Sequence, residues 1–404
     1  MKKKLNIVMT TDENYIIPTM VTISSIVSSA NDNVIFDIYI LCKKELMNNP
    51  KNILGSLEKN NDRIKIKYIP IQDERLDKAV TMAHIPVASY YRLYISKFLL
   101  EDRCLFVDGD MIIKNDLQSI YDIDLEDYYV AAVRDMGIQN HKEDYKNYAQ
   151  YLNIPTMDNY VNAGFMLFNL KKIRQDHLEE KMIMAVAYGY KYMDQDILNK
   201  YCYGKIKILP NEYDFFTEYY DDTITKNIFV YHFTGAFKPW ICTRLSINTL
   251  WWKEAKKVLN TSTYEEIRHN AEKYETENDW NYICNAVKRE KDIAIFGFSE
   301  IGKKIVQDLI KRKIKANIFF VDNDKQKEGM TYQQIKVFSA AKAQEMYSDA
   351  VYIITSQNGY KQITSQLQEA GVSKTKIYRY IYKDDTYFKR LSKTYAEYEM
   401  KQKI

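Results

Sequence analysis

Short apolar, β-branched runs alternate with helix-spaced stretches through the first part of the chain. LNIVMTT, VIFDIYILC and IKIKYIPI have the length and residue types of buried strands, and between the first two PTMVTISSIVSSA repeats its apolar residues at helical spacing. Strands separated by helices predict an α/β fold with a parallel sheet and crossover connections, and ligands then gather at the C-terminal strand ends. CLFV, YVAAVRD, AGFMLFNL and NIFVYHF add further strands, before WWKEAKKVL opens a charged helical pattern that runs to residue 290. From residue 291 the alternation restarts: DIAIFGFSEIGKKIVQDLIKRKIKANIFFVDND reads as strand, glycine-bearing turn, helix, strand and acidic end, with AVYIITS and KIYRYI as later strands. The pattern predicts a first domain over residues 1–255, a helical connector over 256–290, a smaller Rossmann-like α/β domain over 291–381 and a basic, tyrosine-rich tail over 382–404.

Composition narrows this picture little. At 404 residues, 46% hydrophobic and 28% charged, with only 12 glycines and 7 prolines, the chain is globular in type and long enough for two or three domains. Its 58 basic and 54 acidic side chains are interspersed, so the net charge of +4 gives no reason to expect nucleic acid. Cys42, Cys104, Cys202, Cys242 and Cys284 are scattered, odd in number and without a CxxC, which suits reduced core thiols of a cytoplasmic protein. The apolar part of MKKKLNIVMTTDEN is too short for a signal peptide and reads as a first strand; no window reaches the ~18 apolar residues of a membrane span.

The chemistry-bearing residues sit at the predicted strand ends. In CLFVDGDMIIK, Asp108 and Asp110 flank Gly109, and two carboxylates one residue apart can converge on a hard cation such as magnesium or manganese. Asp-Gly is equally a hairpin signal. Ile112 stands where an EF-hand needs a third ligand. In YHFTGAFKPW, His232 is either a third ligand or a hydrogen-bonded core histidine, and Lys238 is a counter-charge for phosphate. YVNAGFMLFNL brings Asn162, Ala163 and Gly164 to the start of a strand; in YMDQDILN, Asp194 also fits an N-cap and Asp196 a solvated first-turn acid. TTDENY, at the end of the first strand, offers a carboxylate, an amide and a ring to a nucleoside, or simply starts a helix.

Taken in order and at these separations, TTDENY, SYYRL, FVDGDM, VNAGFMLFNL, DQDILN and HFTGAFKPW resemble the glycosyltransferase family 8 pattern, over residues 5 to about 255. The resemblance implies a GT-A type mixed sheet and a retaining hexosyltransferase that uses a UDP-hexose, galactose or glucose, with Mn²⁺ (or Mg²⁺) held by Asp108, Asp110 and His232. It further implies Thr10, Asp12, Asn14 and Tyr15 around uridine, Asp108 also near the ribose, and Gly109 among the nucleotide-sugar contacts. Arg92, Asp135, Asn162, Ala163, Asp194 and Gln195 fall to the donor sugar, Gly235 and Lys238 to the diphosphate, and His84 to the acceptor side. Asp194, Gln195 and Lys238 are the catalytic candidates, with same-face attack preferred to double displacement because Gln195 is a poor nucleophile.

Saccharide, lipid-linked and protein acceptors all stay open. Two rivals remain: an aspartyl-phosphate phosphohydrolase, whose Asp-x-Asp normally follows a first strand, and a nucleotide-sugar sensor without turnover. Gly297 to Gly302 and Asp322 have the spacing of a dinucleotide fingerprint, but Ser299 replaces its second glycine, so a nucleotide and a partner compete for that module. Lys389, Arg390 and Lys393 among Tyr387, Phe388 and Leu391 offer the tail a peripheral membrane contact or a solvated helix.

Overall fold

The computed structural model describes residues 2–46, 48–81, 86–220, 227–235, 238–241, 243, 246–277, 280–356 and 359–380. His84, Cys242 and the tail from 382 lie outside them. Among the described residues the chain divides into two compact units, one holding residues up to 239 and 246–264, the other 240, 241, 243 and 265–380.

In the first unit the strands are β1 (Lys3–Thr10), β2 (Val34–Lys43), β3 (Ile64–Ile71), β4 (Arg103–Val107), β5 (Met111–Ile113), β6 (Val130–Arg134), β7 (Val161–Asn169), β8 (Ile206–Leu209), β9 (Phe215–Phe216) and β10 (Val230–His232). Seven of them form one sheet in the order β3-β2-β1-β4-β7-β6-β8, and β5-β10-β9 form a second. The apolar runs are nearly continuous because the large sheet is covered on both faces. Leu5, Ile7 and Met9 of β1 pack into one core, with Ile38 and Ile40 of β2, whereas Val8 packs into the other, with Tyr39 and Leu41.

The direction of the strands differs from the parallel expectation. β3, β2, β1 and β4 are parallel, but β7 runs antiparallel to both β4 and β6. Strand composition carries no sign of direction, so YVAAVRD and AGFMLFNL are readable as strands and not as an antiparallel pair. The consequence is useful: β1, β4 and β6 end, and β7 begins, at the same sheet edge. NIFVYHF supplies β10, which lies in the small sheet rather than the large one. The helical pattern after residue 249 is realised as helices Thr249–Val258, Thr261–Glu277 and Trp280–Val287.

The second unit contains β11 (Asp292–Phe296), β12 (Asn317–Val321), β13 (Thr331–Tyr332), β14 (Ile335–Phe338), β15 (Val351–Ile354) and β16 (Ile377–Arg379) in the order β13-β14-β12-β11-β15-β16. All pairs are parallel except β13 with β14. Helix Glu300–Lys311 follows β11 with Ser299 as its N-cap, and Gly302 is there because a Cβ would strike the Gly297 carbonyl.

Candidate active site

Asp108 leaves β4 at the shared edge. Its amide donates to the Gly164 carbonyl at 2.8 Å, which fastens the acidic turn to β7. The turn is not a hairpin: β4 and β5 belong to different sheets, and β5 pairs antiparallel with β10, placing Met111 opposite His232. That register brings Asp110 beside the imidazole, and the Phe233 amide donates to the Asp110 carbonyl at 2.9 Å. Helix Ile16–Ser29 braces the turn from behind, the Thr22 hydroxyl donating to the Gly109 and Met111 carbonyls, each at 2.9 Å. Side-chain oxygens of Asp108 and Asp110 and a nitrogen of His232 lie within 4.8 Å of one another.

Each of these groups has a defined partner. His232 Nδ1 lies 2.8 Å from Asp214 Oδ1, so with its proton on Nδ1 the ring donates to Asp214 and turns Nε2 towards Asp110 Oδ1, 3.4 Å away. Lys238 Nζ donates to Asp110 Oδ2 at 2.5 Å and to the Phe233 carbonyl at 2.6 Å. Asp110 Oδ1 is buried with no hydrogen-bond donor. A buried carboxylate oxygen without a donor, facing an imidazole nitrogen and a second carboxylate, is a donor set that fits a hard divalent cation.

The charges shift accordingly. Burial pushes the Asp108 carboxyl up to about 6 against the pull of Arg92. Burial also opposes ionisation of Asp110, but Lys238 and His232 outweigh it and hold that carboxyl well below the usual range. For His232, burial disfavours the cation, yet Asp214 and Asp110 overcome it and carry the ring to about 10.

A second network runs from Asp108 through an arginine. Arg92, only 5% exposed, reaches Asp108 Oδ1 from Nη2 at 3.1 Å, Asp194 Oδ2 from Nε at 2.9 Å and the Ala163 carbonyl from Nη1. It also lies over the Phe106 ring at 4.3 Å. Asp194 is therefore an ion-paired interior acid rather than an N-cap; burial lifts it to about 6 in spite of Arg92. Gln195 Oε1 accepts from Asn162 Nδ2 and from the Ala163 amide, both at 3.1 Å, while its Nε2 donates to Asp135 Oδ2 at 3.0 Å. Asp135 meanwhile caps helix Met136–Asn140 through the Ile138 amide.

β7 delivers these residues by a break in its pairing. Arg134 of β6 pairs with Val161 while Ala132 pairs with Met166, so the intervening β7 residues bulge. Core packing registers the slip: Val161 and Ala163 share a core with Met166 and Phe168, and Phe165 and Leu167 point to the opposite one. At the slip, a Cβ on Gly164 would lie 2.5 Å from His232 Cε1 and 2.8 Å from Asp108 Oδ2. Glycine is needed there because backbone forms the wall of the site.

The remaining expected residues fall around this centre. Thr10 is buried at the end of β1. Asp12 accepts from the Asn14 and Tyr15 amides at 2.8 and 3.1 Å, which starts the following helix and turns Asn14 outward. Tyr15 packs against Gly109 and beside Lys238, and burial raises its hydroxyl to about 12. Gly235 has φ +70 and abuts the Glu218 carboxyl. His84 lies outside the described residues. Two participants carry no readable sequence signal, Asp214 and Glu218; two more lie in YMDQDILN but take other parts than the sequence suggests: Asn199, which brackets Val161 with bonds of 2.7 and 2.8 Å to its amide and carbonyl, and Asp196. Asp196 is 0% exposed, not solvated, and accepts from the Tyr160 hydroxyl at 2.6 Å, from the Tyr148 hydroxyl and from the Tyr192 amide at 2.7 Å.

In the second unit, the Asp322 carboxylate is already engaged. It accepts from the Phe298 amide at 2.8 Å, the Asp324 amide at 3.0 Å and Lys327 Nζ at 3.1 Å, and Ser299 Oγ accepts from the Gly302 amide at 3.3 Å.

Fold and site together define a GT-A type glycosyltransferase. The glycosyl transferase family 8 model matches residues 6–243, and the chain belongs to that family. A second model, described as C2185-like, N-terminal, matches residues 289–378. Among curated relatives, a putative glycosyltransferase of Haemophilus influenzae is 30% identical over 272 residues, 63% of this chain and 80% of that protein. A lipopolysaccharide 1,2-glucosyltransferase of Escherichia coli is 28% identical over 253 residues, 58% of this chain and 72% of that protein. Among solved structures, the bifunctional glycosyltransferase WbbM aligns with TM-score 0.57 and 24% identity, over 67% of this chain and 52% of that one. The galactosyltransferase LgtC, in complex with donor and acceptor sugar analogs, aligns with TM-score 0.54 and 23% identity, over 66% of this chain and all of that one. These two likenesses bear on the fold alone.

Proposed function

We propose that the chain is a metal-dependent, retaining hexosyltransferase that moves galactose or glucose from a UDP-hexose to a saccharide or glycoconjugate acceptor. The observation that carries this reading is the convergence of Asp108, Asp110 and His232, with one carboxylate oxygen buried and without a donor. These three residues would hold Mn²⁺ or Mg²⁺, which supplies charge neutralisation to a diphosphate leaving group. Lys238 adds a second positive charge beside it, and Gly235 lets backbone approach the phosphates. Thr10, Asp12, Asn14 and Tyr15 line the uridine end. Asn162, Ala163, Asp135, Asp194 and Gln195 receive the hexose. His84 is assigned to the acceptor side by its motif alone.

Same-face attack fits the hydrogen bonding. The Gln195 carbonyl already accepts two N–H groups and the Asp194 carboxylate faces Arg92, so neither is poised as a free nucleophile. The acceptor hydroxyl then attacks C1 as the C1–O bond to UDP breaks, and its proton passes to the departing phosphate oxygen. We place the enzyme in the cytoplasm, where its buried free thiols Cys42, Cys104, Cys202 and Cys284 stay reduced. Among the described residues no helix is long and apolar enough to cross a membrane. A peripheral contact through the tail would bring the site to a lipid-linked acceptor. For the second unit we favour scaffolding or partner docking over nucleotide binding, since Asp322 and Ser299 spend their oxygens on the loop itself.

The test is a screen of UDP-sugars for manganese-dependent UDP release, with and without acceptors. Release from UDP-galactose or UDP-glucose is expected; none from any UDP-sugar, or phosphatase activity instead, contradicts the proposal.

Cation binding should also depend on pH in a fixed direction. Asp108 must be ionised and His232 must lose the proton that Asp214 and Asp110 hold up to about 10. Affinity for Mn²⁺ therefore rises with pH between 7 and 9 and falls off below about 6, with proton release on binding. Calorimetric titration in buffers of different ionisation enthalpy measures both, and pH-independent binding without proton release would contradict the ligand assignment.

A further inference from the structure

The turn after β9 brings a carboxylate to the candidate site that the pairing described above leaves unused. Phe216 ends β9 opposite His232 of β10 and stands edge-on to the imidazole, 5.5 Å between centroids. The chain then turns over Thr217–Tyr219, and Phe216 and Tyr219 share a core with Met136, the residue after Asp135. Glu218 is thereby fixed against Gly235: an added Cβ there would overlap Glu218 Oε1 and lie 2.8 Å from Cδ, and the left-handed φ of +70 goes with the missing side chain. Lys238, His232 and Asp135 all act on its charge; burial pushes the carboxyl above its usual range in spite of the Lys238 ammonium.

The other acids of the site are engaged. Asp108 and Asp194 meet Arg92, Asp110 meets Lys238, Asp135 meets Gln195, Asp196 meets Tyr160 and Asp214 meets His232. Glu218 has no hydrogen bond and no cation at ion-pair distance among the described residues, and it is half-buried rather than sealed in the core. A carboxylate drawn out of water without a donor is costly, and a ligand that supplies donors removes the cost.

We propose that Glu218 binds the acceptor, its carboxylate accepting hydrogen bonds from saccharide hydroxyls adjacent to the one that attacks. The proposal rests on the glycosyltransferase reading above and adds a residue that receives the acceptor and the class of acceptor it receives.

Position and chemistry select that occupant together. Gly235 and Lys238 are assigned to the diphosphate and Asp135 to the hexose, so a group set among them faces the junction where the C1–O bond breaks. Same-face attack brings the acceptor to that junction, on the side of the departing phosphate. The diphosphate cannot satisfy Glu218 itself, because two anions repel and neither donates a hydrogen bond. The hexose hydroxyls have Asp135, Asn162 and Gln195. An ionised carboxylate offers about four lone-pair sites on its two oxygens, which neighbouring hydroxyls of a pyranose can fill and a serine or threonine acceptor, with its single hydroxyl, cannot. The attacking hydroxyl keeps its own proton for the departing phosphate oxygen, so Glu218 is unchanged by the reaction.

The experiment uses the full chain with UDP-hexose and Mn²⁺, a panel of glucose- and galactose-terminated saccharides, and their monodeoxy analogues. UDP release without acceptor reports the donor site separately. Glu218→Gln is expected to lower kcat/KM for the saccharide about thirtyfold, chiefly through KM, and to lower hydrolysis by a much smaller factor. The variant melts at or above the wild-type temperature, since an unpaired charge has gone. Removing a hydroxyl beside the attacking one costs the wild type a similar factor and costs the glutamine variant little. Undiminished transfer by Glu218→Gln overturns the assignment, and so does an equal loss of transfer and hydrolysis, which would place Glu218 on the donor. A lowered melting temperature with deoxy analogues penalised equally in both proteins overturns it in favour of a structural role. UDP release that no saccharide accelerates in the wild type overturns the acceptor class and the proposal. Absence of UDP release from any UDP-hexose refutes the donor reading itself, and the proposal with it.

Discussion

Asp110→Asn is expected to lower UDP release by roughly a thousandfold or more while the protein stays folded. The substitution keeps the side-chain volume and removes one negative charge from the point where Asp108, His232 and Lys238 meet. Cation affinity should fall with it, because an amide oxygen is a weaker ligand than a carboxylate. The melting temperature is expected to fall, because Lys238 and His232 lose the buried carboxylate that they hold well below its usual range, while Lys238 keeps the Phe233 carbonyl at 2.6 Å. Steady-state release from UDP-hexose in manganese, alongside a thermal melt, checks both halves. A variant that melts normally and turns over at the wild-type rate would remove Asp110 from the reaction.

Gly164→Ala is the second large effect, and it comes from backbone rather than charge. The added Cβ would sit 2.5 Å from His232 Cε1, 2.8 Å from Asp108 Oδ2 and 3.0 Å from Asn162 Oδ1, so three groups of the site must move to admit one methyl. Displacement of positioned groups by about an ångström is enough to cost on the order of a hundredfold in rate. Stability should drop by about 1–3 kcal/mol, the usual scale for overpacking. Gly55→Ala is the control: nothing lies within 4 Å of its Cβ, and in the middle of helix Asn48–Asn60 the change is expected to be neutral or stabilising by up to ~1 kcal/mol. Rate and melting temperature for the pair decide the matter. Equal activity in the two variants would mean that the β7 bulge does not shape the site.

The sequence made the ingredients readable and left their assembly to tertiary structure. Acids after apolar runs, such as Asp108 and Asp110 after CLFV, announce themselves because a charge at the end of a buried strand needs a reason. His232, Asn162 and Gln195 were readable by their motif neighbours. Asp214 was not: it sits in NEYDFF, an unremarkable polar turn, and matters only because β9 and β10 place it against the imidazole. Asp196 had the composition of an exposed first-turn acid, and two tyrosine hydroxyls and an amide, two of them distant in sequence, make its burial tolerable. The β7 bulge has no local signature either, since Asn-Ala-Gly fits a regular strand start as well as an irregular one; pairing with β6 and β4 reveals it. In the second unit the glycine and acid spacing was legible, but not that Asp322 would turn inward onto Phe298.

The most direct measurement is UDP release from UDP-hexose by the purified protein after exhaustive chelation. Loss of turnover on chelation, and its return when Mn²⁺ is added to the wild type but not to Asp110→Asn, is the expected result. Undiminished cleavage by the chelated protein would contradict a cation held between Asp108, Asp110 and His232.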